Sequence, residues 1–137
     1  IFSGVKELLS GLEALNVTWG VITNKAERFT NPLIPQIELA NAACVISGDT
    51  TPHAKPHPEP LLEAARRIQI SPSECWYVGD DLRDIQAAQA ANMTSVAAAW
   101  GYCGAMEPTH WKADAILDSP LELLELVRGK ILQTQAA

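Results

Sequence analysis

The sequence is short of basic residues, and this shortage excludes a class of partner. Only 10 Lys and Arg residues stand against 16 Asp and Glu, which gives a formal net charge of −6. No run of five like charges and no basic stripe occurs along the chain. Because proteins that bind nucleic acids need a concentrated basic surface, we predict no nucleic-acid partner and a small, solvated substrate instead.

Long apolar runs and paired cysteines are also lacking. Apolar stretches such as Val96–Trp100 are far shorter than the roughly 20 residues that cross a bilayer, and the first residues lack the order of a signal peptide. The cysteines Cys44, Cys75 and Cys103 are odd in number and form no CxxC pair, which indicates reduced thiols used in packing. We therefore predict a cytoplasmic protein with no membrane-spanning segment.

Short apolar runs alternate with amphipathic stretches along the 137 residues, a length typical of one domain. Alternation of this kind, with nearly all-apolar strands, is typical of an α/β fold in which helices cover both faces of a parallel sheet. In such sheets ligands bind at the carboxyl ends of the strands, so the turns after the strands are the places to search for a site. Helices are predicted at Val5–Leu15, Ala26–Leu39, Pro58–Ile68, Asp81–Ala91 and Leu121–Leu132, and strands at Thr18–Thr23, Ala43–Ser47, Cys75–Val78, Ser95–Ala99 and Ala115–Leu117.

The first polar turn, Thr23-Asn24, follows the apolar pair Val21-Ile22 and precedes a predicted helix. The free N–H groups and the positive dipole end of a helix favour an anion, and Thr23 can add a hydroxyl donor. A phosphate group would fit such a turn. The alternative is that Thr23 or Asn24 only caps the helix.

Lys55 stands in the second turn, between Ala54 and a proline-rich segment that ends at Pro58. The prolines restrict the backbone, so the ammonium group is delivered from a stiff segment and can act as a fixed positive charge for a phosphoryl group. The alternative is a solvated surface lysine. His53 and His57 are four residues apart across prolines and do not share a helical face, so we interpret both as surface or supporting groups.

The third turn carries the most specific signal, Gly79-Asp80-Asp81-Leu82-Arg83-Asp84. Asp80 and Asp84 are one helical turn apart and can face the same point, where their like charges would repel. A hard cation removes such repulsion, and Mg²⁺ is bound by one or two carboxylates together with waters and a phosphate oxygen. Gly79 allows a sharp turn and a close approach of the backbone to a ligand. The alternative is that the acidic residues only complement the helix dipole.

Taken in order, each after a strand, the three motifs resemble motifs two, three and four of phosphatases of the haloacid dehalogenase superfamily. The resemblance covers roughly residues 1–132, and the stretch from Phe2 to Lys25 is similar to the phosphoglycolate phosphatase group just after its helical cap. The chain is also similar to bacterial N-acetylmuramic acid 6-phosphate phosphatases in the segments TWGVITNK and YVGDDLRDIQAA and in the pair His110-Trp111. The resemblance implies a doubly wound, Rossmann-like core.

The resemblance also implies a role for each motif residue. Thr23 would bind the phosphate, and Lys55 would steady the phosphate and the nucleophile. Asp80 would bind Mg²⁺, and Asp84 would hold the lysine or the waters of the metal. The predicted site residues are thus Thr23, Asn24 and Lys55 for the substrate, Lys55 and Asp84 for catalysis, and Asp80, Asp81 and Asp84 for the metal.

The first motif of the superfamily, a DxD segment that supplies the aspartyl nucleophile and the general acid/base, does not occur in the sequence. In the family its strand lies centrally, between the strands that here end at Thr23 and Gly79, and the substrate-selecting cap lies between motifs one and two. Both are expected upstream of Ile1. We therefore interpret residues 1–137 as the C-terminal portion of one core domain that lacks its central first strand. The expected partner is the N-terminal segment or a second copy of the chain.

The leading hypothesis is a Mg²⁺-dependent phosphomonoester hydrolase, of phosphoglycolate or sugar-phosphate type, that acts on a small phosphorylated metabolite. By the resemblance, a carboxylate attacks phosphorus and water then hydrolyses the aspartyl-phosphate, so a chain without the DxD segment is expected to be inactive by itself. Two alternatives stay open. One is a phosphosugar mutase of the same superfamily, and the other is a non-catalytic phosphate-binding or interaction domain.

Overall fold

The computed structural model describes residues 4–24, 42–100 and 108–136, and these residues form an α/β fold. The predicted helix Ala26–Leu39 and Cys103 lie outside the described residues. No helix within these ranges combines the length and the apolarity that crossing a membrane requires. The helices are α1 (Val5–Ala14), α2 (Glu59–Ile68), α3 (Leu82–Ala90) and α4 (Pro120–Ala136), and the strands are β1 (Val21–Ile22), β2 (Val45–Ile46), β3 (Trp76–Gly79), β4 (Thr94–Ala98) and β5 (Ala115–Leu117).

The described strands form two sheets, and every pairing in them is parallel. β1 pairs with β2, and β4 lies between β3 and β5. β3 and β4 are joined through α3, the kind of crossover that parallel neighbours require. Within the described residues no hydrogen-bonded pairing joins β1 to β3. The described strands are therefore divided between β1 and β3.

Helices cover both faces of the three-stranded sheet. On β3, Trp76 and Val78 pack with residues of α1 and α4, whereas Tyr77 packs with residues of α2 and α3. This alternation follows from the strand geometry, which points successive side chains to opposite faces. The buried residues are Leu8, Leu12, Val96 and Leu123 on the first face, and Leu61, Ala65, Ala87, Ala88, Ala91 and Met93 on the second. A parallel sheet with helices on both faces confirms the predicted fold class.

Helix α2 connects the two sheets. Leu61 of α2 belongs to the cluster on the second face, and Ala64 belongs to a further cluster with Cys44 and Ile46 beside β2. Ile22 of β1 packs against both clusters. The two sheets therefore share one layer of helix, which holds the end of β1 close to the end of β3.

Several element ends differ from the prediction. β1 and β2 have two regular residues each, but N–H to C=O bonds from Val21 to Cys44 and from Thr23 to Ile46 extend the ladder. Helix α4 was predicted to end at Leu132 and continues to Ala136, since the added glutamine and alanine residues favour helix. The Trp111 side chain is buried and therefore contributes to the packing of the core.

The described thiols are packing groups, as predicted. Cys44 is buried and Cys75 is partly buried, and both are free cysteines. Burial is the main reason why the pKa of each thiol lies above its ordinary value. Both thiols therefore stay mainly protonated at neutral pH, the form that is the weaker nucleophile.

Candidate active site

The three polar turns meet at one cleft. Thr23 follows β1, Lys55 lies in the loop after β2, and Asp84 lies in the first turn of α3 after β3. The carboxyl ends of parallel strands lie at one edge of a sheet, which explains why residues so far apart in sequence converge. The cleft has a volume of about 370 Å³ and is lined by Thr23, Asn24, Lys55, Arg83 and Asp84.

Lys55 and Asp84 form a buried ion pair at the cleft. Lys55 Nζ lies 2.6 Å from Asp84 Oδ1, and the side chains are 10% and 7% exposed. Coulomb attraction between unit charges is stronger in such a setting than in water. Loss of one partner would leave the other charge buried without compensation, which is costly. The pair therefore fixes the position of the ammonium group.

Tyr77 completes this arrangement, and the sequence had not indicated it. The Tyr77 hydroxyl accepts a hydrogen bond from Lys55 Nζ at 2.9 Å and donates one to Asp84 Oδ1 at 3.3 Å. Burial, followed by the nearby charge of Asp84, raises the pKa of Tyr77 well above its ordinary value. The hydroxyl therefore stays protonated and can donate to Asp84. An aromatic residue in an apolar strand is normally read as core, and the available signal was its position two residues before Gly79.

An ammonium group has three N–H donors. Within the described residues, Lys55 uses two of its donors in hydrogen bonds to Tyr77 and Asp84. The third can therefore be given to a ligand in the cleft. Thr23 contributes a hydroxyl group and Arg83 a guanidinium group to the same lining. This set of donors and positive charge is suited to an anion with several oxygens.

The second carboxylate oxygen of Asp84 organises the turn after β3. Asp84 Oδ2 accepts hydrogen bonds from the backbone N–H groups of Asp80 at 3.1 Å and Asp81 at 3.2 Å. Gly79 allows this close approach, because a Cβ atom there would lie 2.2 Å from Asp84 Cβ. Asp84 therefore supports both Lys55 and the turn, and its predicted role toward the metal stays a prediction.

Asp81 caps helix α3. Its carboxylate accepts the backbone N–H of Arg83 at 2.9 Å and also contacts the Arg83 side chain at 3.2 Å. The hydrogen bond from the Arg83 backbone is the main reason why the pKa of Asp81 lies below its ordinary value. Together with the bond from the Asp81 N–H to Asp84, it forms a capping box. The assignment of Asp81 to the metal likewise stays a prediction.

Asp80 stands at the start of the same turn and is partly exposed. Within the described residues, the carboxylates of Asp80, Asp81 and Asp84 do not bring their oxygen atoms as close together as the ligand atoms of His53, His57 and Glu59, which lie within 4.8 Å of one another. The assignment of Asp80 to the metal stays a prediction, as it does for Asp81 and Asp84.

Asn24 brackets the loop that carries Lys55. Asn24 Oδ1 accepts the Lys55 N–H at 3.2 Å, and Asn24 Nδ2 donates to the Lys55 carbonyl oxygen at 3.4 Å. The bond between Lys55 and Pro56 is cis. Gly48 leaves room for this segment, since a Cβ atom there would lie 2.0 Å from the Asn24 carbonyl oxygen. Asn24 thus links the first two motifs, and its predicted contact with substrate stays a prediction.

The fold and the cleft agree with the chain's relationships, which define its class. The chain belongs to the haloacid dehalogenase-like hydrolases, whose family model matches residues 1–98. It is 46% identical over 127 residues to a phosphoglycolate phosphatase of Xanthomonas campestris pv. campestris (strain 8004), covering 91% of this chain and 58% of that protein. It is 40% identical over 129 residues to an N-acetylmuramic acid 6-phosphate phosphatase of Pseudomonas putida, covering 93% of this chain and 58% of that protein.

A solved structure gives the same picture. The crystal structure of a predicted phosphoglycolate phosphatase from Haemophilus somnus 129pt superposes with a TM-score of 0.85 at 28% identity. The match covers 92% of this chain and 56% of that one. The chain therefore spans a little over half the length of the relatives that it matches.

Proposed function

We propose that the protein containing this chain is a phosphomonoester hydrolase. The observation that carries the proposal is the shared cleft, in which the Thr23 hydroxyl and the Lys55 ammonium group line one space. Lys55 is already fixed by Asp84 and Tyr77. A donor that is positioned before the substrate arrives stabilises the charge of a transferring phosphoryl group without further reorganisation.

In this proposal some of the described residues bind the phosphoryl group and others position them. Thr23 and Lys55 bind the phosphoryl oxygens, while Asp84 and Tyr77 hold Lys55 in place and Asn24 holds its loop. Asp80 would hold Mg²⁺, for which carboxylate oxygen is the preferred protein ligand. When bound, this ion neutralises charge on the phosphoryl group.

The nucleophile is proposed to come from a part of the protein outside this chain. The divided sheet supports this proposal, because β1 and β3 are unpaired with each other in the described residues and end on either side of the cleft. A strand between them would bring its own carboxyl end to Thr23 and Lys55. An aspartate at that end would attack phosphorus to form an aspartyl-phosphate, and the bond to the alcohol would break as the general acid of the same segment gives the alcohol a proton. Water would then hydrolyse the aspartyl-phosphate to inorganic phosphate and the free carboxylate.

The substrate is proposed to be a small phosphate monoester that carries a further carboxylate or sugar group. Two similar proteins are named for phosphoglycolate and for N-acetylmuramic acid 6-phosphate. Both compounds combine a phosphate monoester with a carboxylate, and both would suit a cleft that contains Lys55 and Arg83. The two compounds are therefore the first substrates to assay.

The test uses the full-length protein with Mg²⁺ and measures phosphate release from both compounds. Lys55→Met removes the fixed charge and should lower kcat/KM by about 100-fold or more, as loss of a transition-state donor does. Asp80→Asn should lower activity at low Mg²⁺ more than at high Mg²⁺, because it weakens metal binding. The matched control is Lys6→Met on the exposed side of α1, which should leave activity unchanged.

Each other outcome has a defined meaning. Unchanged turnover in Lys55→Met would refute the assigned role of the cleft. Binding of phosphate without hydrolysis by the full-length protein would favour a non-catalytic domain. Transfer of phosphate to a second position of a sugar, with no inorganic phosphate released, would favour a mutase.

A further inference from the structure

A second group of ligand-type side chains lies on the loop beside the cleft. The nitrogen and oxygen atoms of His53, His57 and Glu59 that could bind a metal all lie within 4.8 Å of one another. His53 Nδ1 is 3.4 Å from Glu59 Oε2, and His57 Nδ1 is 4.0 Å from the same oxygen. The two imidazole rings have centroids 4.5 Å apart. In the described residues no other group of three such side chains is this compact.

These distances suit a tetrahedral zinc ion. Zinc bonds to histidine nitrogen and carboxylate oxygen are about 2.0–2.2 Å long, so two ligand atoms on one tetrahedral ion lie roughly 3.3–3.5 Å apart. The His53–Glu59 pair already has this separation, the His57–Glu59 pair is longer at 4.0 Å, and all three pairs lie within 4.8 Å, so small side-chain rotations would close the set around an ion. Two imidazoles and one carboxylate favour zinc over Mg²⁺, which prefers oxygen ligands. Water would take the fourth position.

The loop holds the three side chains near one another before any ion binds. The Thr51 hydroxyl donates to the His53 carbonyl oxygen at 2.6 Å, and the His57 N–H donates to the Ala54 carbonyl oxygen at 3.0 Å. Glu59 is the first residue of α2, which fixes its backbone. Such anchoring lowers the ordering cost of binding.

Solvent can reach the cluster. The His53 and His57 side chains are 58% and 49% exposed, and that of Glu59 is 34% exposed. His57 Nδ1 accepts the Glu59 N–H at 3.1 Å, and coordination through this nitrogen would exchange that hydrogen bond for a metal bond. The exchange requires a small rotation of an exposed ring and no repacking of the core.

We propose that His53, His57 and Glu59 form a zinc-binding site that is separate from the cleft. The ligand class is a borderline divalent ion held by two imidazoles and a carboxylate. His53 and His57 flank Lys55 in sequence, so zinc would tie together both ends of the segment that delivers the ammonium group. The proposal rests on the geometry of the cluster and does not depend on the proposed phosphatase activity.

The experiment measures zinc binding by the full-length protein in competition with a chromophoric zinc indicator, in excess Mg²⁺. The double variant His53→Ala/His57→Ala should lose one zinc equivalent. Glu59→Gln, which keeps the shape of the ligand, should bind at least about tenfold more weakly, the effect seen even for residues that only support a ligand. Circular dichroism checks that each variant is folded.

Two controls separate this site from other places that could take zinc. His110→Ala removes an exposed histidine elsewhere and should change nothing. Asp80→Asn removes the proposed Mg²⁺ ligand in the turn after β3 and should leave the zinc equivalent intact. Cobalt substitution gives an independent readout, because visible absorption of bound Co²⁺ should disappear in the double variant. Unchanged zinc binding in that variant, or loss of the zinc equivalent in Asp80→Asn, would overturn the proposal.

Discussion

Replacing Asp84 by asparagine keeps the shape of the side chain but removes the charge that compensates Lys55. The two side chains are 7% and 10% exposed and 2.6 Å apart, so the remaining ammonium group would stay buried without a counter-ion. Lys55 donates to one oxygen of Asp84 and backbone N–H groups donate to the other. The asparagine NH₂ group would therefore lie against a hydrogen-bond donor in whichever of its two orientations it took. Breaking a buried pair in this way costs about 3–5 kcal/mol of unfolding free energy.

The assay is urea denaturation of the full-length protein, followed by circular dichroism, with a double-mutant cycle. Lys55→Met/Asp84→Asn removes both charges, so it should cost less than the sum of the single variants by about 1–3 kcal/mol. Asp81→Asn is the matched control, because it makes the same chemical change three residues earlier. Asparagine caps a helix as well as aspartate does, so this variant should lose less than about 1 kcal/mol.

A small effect would contradict this reasoning. If Asp84→Asn cost less than about 1 kcal/mol of unfolding free energy, the Lys55 ammonium group would be tolerated without its counter-ion, contrary to what its low exposure implies. If the single effects added within about 0.5 kcal/mol, Lys55 and Asp84 would be energetically independent despite their contact.

Two further predictions concern the turn after β3. Gly79→Ala places a Cβ atom 2.2 Å from Asp84 Cβ and should cost about 1–3 kcal/mol or more by thermal unfolding, whereas Gly129→Ala, with nothing within 4 Å, should gain up to about 1 kcal/mol from helix propensity. Equal effects of the two changes would contradict the crowding seen at Gly79. The pKa of Asp81 is lowered in the fold, so its stabilising contribution is complete above about pH 4 and is lost as the pH falls further. Asp81→Asn should therefore flatten the acid side of the stability profile, measured by urea midpoints at a series of pH values, and an unchanged slope would show that Asp81 adds nothing there.

The alternation of apolar and amphipathic segments predicted the fold because it depends on a local period. Trp76 and Val78 face one helix layer and Tyr77 the other, as strand geometry requires. The convergence of Thr23 and Lys55 was also predictable, because both follow strands of one parallel arrangement. The helical cap at Asp81 follows the usual preference of such residues for helix starts.

Contacts made by irregular segments could not be predicted in the same way. His53 and His57 were expected to be exposed, and they are, but their rings also meet each other and Glu59. Helical and strand periods apply only to regular elements, whereas here a turn brings residues four apart together. The bracket between Asn24 and Lys55 joins two loops, and its geometry depends on how the sheets sit against α2.

Through the capping box of α3, Asp84 couples the start of the helix to the position of Lys55. Asp84 closes the first turn of the helix through the Asp81 N–H and at the same time holds the ammonium group of Lys55. Helix ends ordinarily fray on their own, with little effect elsewhere. Here the first turn cannot open without releasing the lysine, so amide hydrogen exchange at Asp80 and Asp81 should be slow and should accelerate when Lys55 is replaced. Fraying of this helix and disassembly of the cleft would then be a single event.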